Sequence, residues 1–496
     1  MLFSHRKYDT ILKAVVSSKD RKVFIMNNQA VNPYLPSWEY IPDGEPYVFD
    51  DRVYIYGSHD KFNGDVYCML DYVCWSASVD NLAEWRYEGV IYRKDQDPAN
   101  GDLQGNLYAP DVCKGLDGRY YLYYVLSNLS IVSVAVCDEP AGKYEFYGYV
   151  HYEDGVRLGE KEGDEPQFDP GVLLENGNVY MYTGYCPLDD DKRHGAMCTV
   201  LDTDMLTVKE GPQFVIPNKI CSKGGEYEGH AFFEAPSIRK KGDTYFLIYS
   251  TELNHELAYA TSKEPTKNFK YQGVLVSNGD LNIDSYKPGA KPMCYCANNH
   301  GSMVKIKDDW YIFYHRHTNG TNYSRQACFE ILKEREDGLF YQSEITSNHG
   351  MKPLIGQGEY PAYIACHLYN DLDVTYIPWS GWMDDRFQKI TQEGGDGDEN
   401  VGYVANLRKG CGVGFKYFEL KNVKSVSVYT KGYATGKFEL RTAYDGEAIA
   451  SFDMEYSNVW REYKADVNIE DGVYALYFVF MGEGHMQFRS FAIECE

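Results

Sequence analysis

One unit recurs five times in the first 320 residues: a short motif around Pro or Gly, a turn, then a Tyr-rich run. The copies are Asp43-Gly44-Glu45-Pro46 leading to Val53-Tyr54-Ile55-Tyr56, Ala109-Pro110-Asp111-Val112 leading to Tyr120-Tyr121-Leu122-Tyr123, and Asp169-Pro170-Gly171-Val172 leading to Val179-Tyr180-Met181-Tyr182. Glu234-Ala235-Pro236-Ser237 then leads to Tyr245-Phe246-Leu247-Ile248, and His300-Gly301-Ser302-Met303 to Trp310-Tyr311-Ile312-Phe313. The step between copies is roughly 60–66 residues, longer than the period of about 40–50 usual for propeller repeats. A single strand unit cannot bury its own apolar face, so such a repeat implies stacked copies sharing cores.

The local signals are those of strands. Aromatic residues make up 15 % of the 496-residue chain, 46 of them Tyr, which suits sheets and sugar-stacking surfaces better than helix bundles. Helical periodicity is almost absent. Turns such as Leu116-Asp117-Gly118-Arg119, Glu175-Asn176-Gly177-Asn178 and Lys240-Lys241-Gly242-Asp243 punctuate the runs as hairpins do. Residues 32–350 therefore read as an all-β domain of five blades arranged radially, with Phe329 to Thr346 completing the last blade. Residues 351–385, with Trp379 and Trp382, read as a linker of which part packs on a domain. From 386 to 496, short strands such as Gly414–Phe418, Ser425–Tyr429 and Val473–Phe480 between Gly turns predict a β-sandwich.

Composition narrows the function classes. A formal charge of −24 argues against a nucleic-acid surface and is compatible with a neutral small substrate. No apolar run approaches the roughly 18–20 residues that span a bilayer. Residues 1–31 read as an extension, and Met1 to Met26 lacks the apolar h-region of a signal peptide. Thirteen cysteines without CxxC pairs point to reduced thiols and a cytoplasmic location, and away from a structural zinc site.

The chemistry resides in the carboxylates that open the motif. In a propeller, equivalent positions of the inner strands converge on one axial cavity, so Asp43, Asp169 and Glu234 meet there. Clustered, poorly hydrated carboxyl groups raise at least one pKa, the arrangement needed for paired acid and base work on a glycosidic bond. The first copy is irregular: in Pro42-Asp43-Gly44-Glu45-Pro46 the proline selects Glu45 as the counterpart of Asp169, whereas the eleven-residue spacing to the Tyr-rich strand selects Asp43. Glu45 is the alternative, on the same strand face but further along the axis.

These motifs resemble glycoside hydrolase family 43. Phe168-Asp169-Pro170-Gly171-Val172, Phe233-Glu234-Ala235-Pro236-Ser237, Tyr108-Ala109-Pro110-Asp111-Val112 and Asn299-His300-Gly301-Ser302 match its elements in blades three, four, two and five. The resemblance implies a five-bladed propeller with Asp43 as general base, Asp169 orienting and tuning the acid, and Glu234 as general acid in an inverting hydrolysis. It also implies that His300 faces an axial calcium or water site, and that Arg325 reaches the substrate. Trp75 and Trp38 are candidate stacking surfaces, while His59-Asp60 and His315-Arg316-His317 are placed near the pocket mouth. The C-terminal region resembles a family 6 carbohydrate-binding module, although Met481 to Met486 lacks the Trp and Asn such modules use to grip sugar.

The activity expected is that of an exo-acting α-L-arabinofuranosidase or β-xylosidase releasing pentoses from arabinoxylan-derived oligosaccharides, with no organic cofactor. A non-catalytic carbohydrate-binding protein with a degenerate base is the competing class.

Overall fold

The computed structural model describes residues 29–372 and 375–496; the expected extension lies almost wholly outside the described residues. Four four-stranded antiparallel sheets and one of three strands form the five blades. Blade one comprises Glu45–Phe49, Arg52–Tyr56, Tyr72–Ser78 and Asn81–Tyr92, and blades two, three and four span Leu107–Tyr149, Gly171–Pro217 and Phe232–Ser277. Among the described residues blade five has three strands, Met303–Ile306, Asp309–Arg316 and Gln326–Leu332. Past Leu332 the segment expected to complete that blade adds no strand and only an isolated bridge, Glu334 to Phe340.

The radial arrangement follows from where the apolar residues meet. Five core clusters each join two neighbouring blades. Tyr56 and Cys74 of blade one pack with Leu122 and Tyr124 of blade two, and Tyr121 and Cys113 of blade two with Val172 and Met181 of blade three. Tyr182 and Cys198 then meet Ile238 and Leu247, Ile248 and Tyr259 meet Ile312 and Cys328, and Phe313 and Phe329 return to Val53 and Val73 of blade one. Each blade is therefore buried on both faces. The ring is closed by the stretch before blade one: Asn32 Nδ2 donates to the carbonyl of Phe329 at 2.9 Å, and Phe329 N–H returns a bond to Asn32 Oδ1 at 3.1 Å.

The first strand of each blade lines the axis, where the backbones come close. A Cβ on Gly171 would stand 2.2 Å from the carbonyl oxygen of Pro236 in the next blade, so only glycine fits there.

The C-terminal domain is a two-layered β-sandwich around Phe415, Phe438, Phe478, Phe488 and Phe491. Its 19-residue strand Val423–Arg441 pairs with strands of both layers. The segment expected as a linker supplies three of its strands: Leu354–Ile355 and His367–Tyr369 pair with Gly412–Leu420, and Gly358–Pro361 with Glu483–Cys495. Strands of two to four residues are too short to show alternation, so the sequence pattern does not reveal them. The domain docks through a buried ionic knot. Lys416 Nζ lies 3.2 Å from Glu344 and 3.5 Å from Asp280, which also bonds His367 Nε2 at 2.8 Å.

Candidate active site

Hairpin register brings the three carboxylates together. The inner hairpins of blades one and three end in the pairs Phe49–Arg52 and Glu175–Asn178, and Asp43 and Asp169 each stand six residues ahead of Phe49 and Glu175. In blade four the last pair is Lys241–Thr244, and Glu234 stands seven residues ahead of it. A bulge between Glu234 and Ser237 absorbs the extra residue and re-aims the chain. Asp43 and Asp169 also share a left-handed backbone, with φ of 58° and 47°, a conformation Asp tolerates better than most side chains. The first motif is thus regular in three dimensions, and its late proline merely places Glu45 deeper on the axis.

Asp43 is buried and held by blade five. Arg325 Nη1 donates to its Oδ1 at 3.0 Å, and its own N–H donates to His315 Nδ1 at 3.2 Å. His315 Nε2 lies 2.8 Å from the Asn298 carbonyl, so the proton sits on Nε2, and burial keeps the ring neutral by lowering its pKa. Arg325 is itself clamped by Asp60, Nε at 2.8 Å and Nη2 at 3.0 Å, a buried bidentate pair.

Glu234, partly exposed, has its pKa pushed up to about 8, first by burial and then by the charge of Asp169, against the opposing pull of His300. Asp169 is raised to about 7 by burial, with His300 lowering and Asp43 raising it. His300 is lowered by burial, but the neighbouring carboxylates of Glu45, Asp169 and Asp43 outweigh that and take it to about 9. Its Nδ1 and Nε2 each lie 3.7 Å from a carboxylate oxygen, of Asp169 and Glu45 respectively. The axial cluster therefore combines a proton-bearing acid with a carboxyl group oriented by Arg325, the pairing required to protonate a leaving oxygen while activating water.

One layer deeper the axial carboxylate of Glu45 is held by a cation and a hydroxyl. Arg239 Nη2 donates to Glu45 Oε2 at 2.6 Å, Ser237 Oγ donates to the same oxygen at 2.9 Å, and Arg239 stacks on the Tyr47 ring at 4.4 Å. Tyr47 OH donates to Asp111 at 2.7 Å. Burial favours the neutral form of Glu45, yet Arg239 and His300 hold its pKa below the ordinary value.

Calcium fits poorly at His300. The ion takes about six to eight oxygen ligands, whereas His300 offers nitrogens already facing carboxylates, and Arg239 stands on Glu45. No group of three or more His, Cys, Asp or Glu side chains is placed to hold a metal among the described residues.

The remaining candidates are dispersed. Trp75 is not brought to the cluster: it is 5 % exposed, belongs to the core between blades one and five, and donates its indole N–H to Glu39 at 3.1 Å. Trp38 packs against it, and His59 lies between Glu39 and the Asp71 carbonyl. Arg316 points away from the pocket to the Ala365 carbonyl. Asp60 is the residue whose importance exceeds what its place near the mouth implied, because its pairing with Arg325 joins positions 265 apart. An aromatic wall also goes unannounced by the repeat: Tyr108, Phe168, Tyr185 and Phe233 contact one another in turn around blades two to four, and its only signal is that Phe168 and Phe233 precede the carboxylates.

Known proteins share the family's sequence pattern and the fold. The sequence profile described as "Glycosyl hydrolases family 43" matches residues 39–340. A "Xylosidase/arabinosidase" of Thermoclostridium stercorarium is 60 % identical over 470 residues, covering 94 % of this chain and 99 % of that protein. An "Arabinoxylan arabinofuranohydrolase" of Bacillus subtilis (strain 168) is 24 % identical over 484 residues, covering 88 % and 86 %. A solved family 43 arabinoxylan arabinofuranohydrolase from Bacillus subtilis, in complex with cellotetraose, shares the fold with a TM-score of 0.51 at 20 % identity, over 95 % of this chain and 98 % of that one.

Proposed function

The chain belongs to glycosyl hydrolases family 43 and is a glycoside hydrolase, and from that premise we propose that Asp43, Asp169 and Glu234 are its catalytic carboxylates in an inverting, exo-acting release of pentoses. The substrates proposed are arabinoxylan-derived oligosaccharides bearing terminal α-L-arabinofuranose or β-xylose. The names of the similar proteins, xylosidase/arabinosidase and arabinoxylan arabinofuranohydrolase, support that class.

The observation that carries the reading is one axial cluster in which Glu234 is raised by burial and Asp169 while Asp43 is oriented by the Arg325 guanidinium. Glu234, raised to about 8, keeps its proton at neutral pH and donates it to the leaving oxygen. Asp43, oriented by Arg325, accepts a proton from the water that attacks the anomeric carbon from the other side. Asp169 acts on Glu234 as a like charge, favouring its protonated form. The shared register of Asp43 and Asp169, and the engagement of Glu45 with Arg239, support Asp43 over Glu45 as base. They also remove the motive for a degenerate, non-catalytic site.

For the C-terminal domain we propose a part in shaping the catalytic face, supported by its docking through Lys416 and Asp280. The cytoplasmic assignment is supported by thirteen free cysteines.

The test is turnover of nitrophenyl α-L-arabinofuranoside and nitrophenyl β-xyloside by wild type, Asp43→Asn and Glu234→Ala, with the anomer of the first-formed sugar read by NMR. Turnover by wild type, its loss in both variants and an inverted product are expected. A retained anomer, or full activity in Asp43→Asn, would overturn the assignment.

A further inference from the structure

The rim of the pocket beside blades one and five is not built from the propeller alone. A segment of the C-terminal region, Pro378 to Met383, lies along the loop that leads to Arg325. Asn322 N–H donates to the Gly381 carbonyl at 2.9 Å and Met383 N–H to the Gly320 carbonyl at 2.7 Å, with Thr321 and Trp382 bridged between them. This short antiparallel pairing is seated on Tyr323: Gly381 has φ +79°, and a Cβ there would stand 2.5 Å from the phenol oxygen. The same loop is tied to blade one, because Asn63 N–H donates to Ser324 Oγ at 2.9 Å.

The seat orders a row of rings that starts at the catalytic cluster. The Arg325 guanidinium lies 4.9 Å from the Tyr67 ring. The Tyr67 and Tyr323 ring centroids are 5.0 Å apart, and those of Tyr323 and Trp382 are 6.4 Å apart. All three rings are half-buried, so each keeps an open portion. Burial raises the Tyr67 phenol, with Arg325 opposing and the charge of Glu234 adding to it. Trp379, three residues before Trp382, is fully exposed at 106 %. Two of the seven tryptophans thus sit in one six-residue stretch, Trp379 fully exposed and Trp382 half-buried against Tyr323.

We propose that Tyr323 and Trp382 form the binding surface for the leaving-group sugars, so that the C-terminal domain supplies the outer part of the substrate site. The inference rests on the catalytic reading above. With the terminal pentose at the axial floor, the rest of the oligosaccharide must leave through the mouth. The Tyr323 and Trp382 rings, set edge-to-face at 61° with centroids 6.4 Å apart and both half-buried, keep apolar surface open along that route for a sugar to pack on.

The experiment compares kcat/KM for a nitrophenyl pentoside, whose leaving group is one small ring, with that for the better turned over of xylotriose and arabinofuranosyl-xylotriose. In Trp382→Ala the oligosaccharide-to-nitrophenyl ratio should fall about tenfold, mainly through KM, and Trp382→Phe should retain most of it. A ratio unchanged within about twofold, equal losses on both substrates, or wild-type turnover of the nitrophenyl pentoside alone would overturn the proposal while leaving the catalytic reading intact. Wild type turning over no glycoside would overturn both.

Discussion

Glu45 and Glu234 are glutamates of one axis, one layer apart, and their neighbours send them in opposite directions. Glu45 meets a guanidinium at 2.6 Å and a serine hydroxyl at 2.9 Å, and its pKa falls below the ordinary value despite burial. Glu234 meets the charge of Asp169 instead, and burial with that repulsion lifts it to about 8. Residue type and burial are therefore poor guides to role in this cavity. What separates a structural anion from an acid catalyst is whether a cation reaches it.

The comparison breaks if the wrong glutamate carries the chemistry. Glu234→Gln should lower kcat on an oligosaccharide by about 10²–10⁴-fold, the usual range for a lost general acid, and by less on a nitrophenyl glycoside whose leaving group needs little protonation. Equal losses on both substrates would remove Glu234 from the acid role. Glu45→Gln should act on the fold: it strands Arg239 in the interior, a defect of about 3–5 kcal/mol visible as a lowered Tm, while the folded protein keeps its turnover within a few-fold. An intact Tm with abolished turnover would transfer the base to Glu45.

Asp60→Asn sharpens the upper layer. Loss of one carboxylate oxygen frees Arg325 to shift against Asp43, and kcat/KM should fall about 10–100-fold, the scale of a small misplacement of catalytic groups. An unchanged pH profile and rate would show that Arg325 needs no clamp.

The smallest effect is in pH dependence, and its sign differs between the layers. Glu234 has a folded pKa of about 8, above the 4.5 of the free side chain, so the stability it lends is complete below about 4.5 and is lost as pH rises through 8. Glu45 has a lowered folded pKa, so its contribution is present above about 4.5 and is lost on acidification. Thermal melts of wild type should fall by a few degrees between pH 5 and pH 9, and Glu234→Gln should flatten that decline. The alkaline limb of kcat/KM should lie near 8, where the acid loses its proton. A limb below 6 would contradict the raised value.

Much of the propeller was legible because repeats and hairpin turns are local patterns. The counts to the Tyr-rich strands located Asp43, Asp169 and Glu234 at equal spacings of eleven. That equality conceals a one-residue difference in blade four, where the bulge after Glu234 restores the register, and bulges leave no reliable mark in a single sequence. Trp75 shows the converse. A tryptophan in a β-rich chain is compatible with both a sugar platform and a core, and its packing between blades one and five and bond to Glu39 decided for the core. The three strands within 351–385 were illegible because their partners lie 43 to 135 residues downstream, from Tyr369–Gly412 to Gly358–Ile493.

The sequence by itself determined that five strand units repeat, and that three of them open on a carboxylate. Period and residue type are properties of neighbours along the chain. Only the tertiary structure decided which carboxylates receive a cation, since Arg239 reaches Glu45 across 194 residues and Arg325 reaches Asp43 across 282. A pKa depends on the charges and solvent around a group in space, and the chain order does not contain those distances.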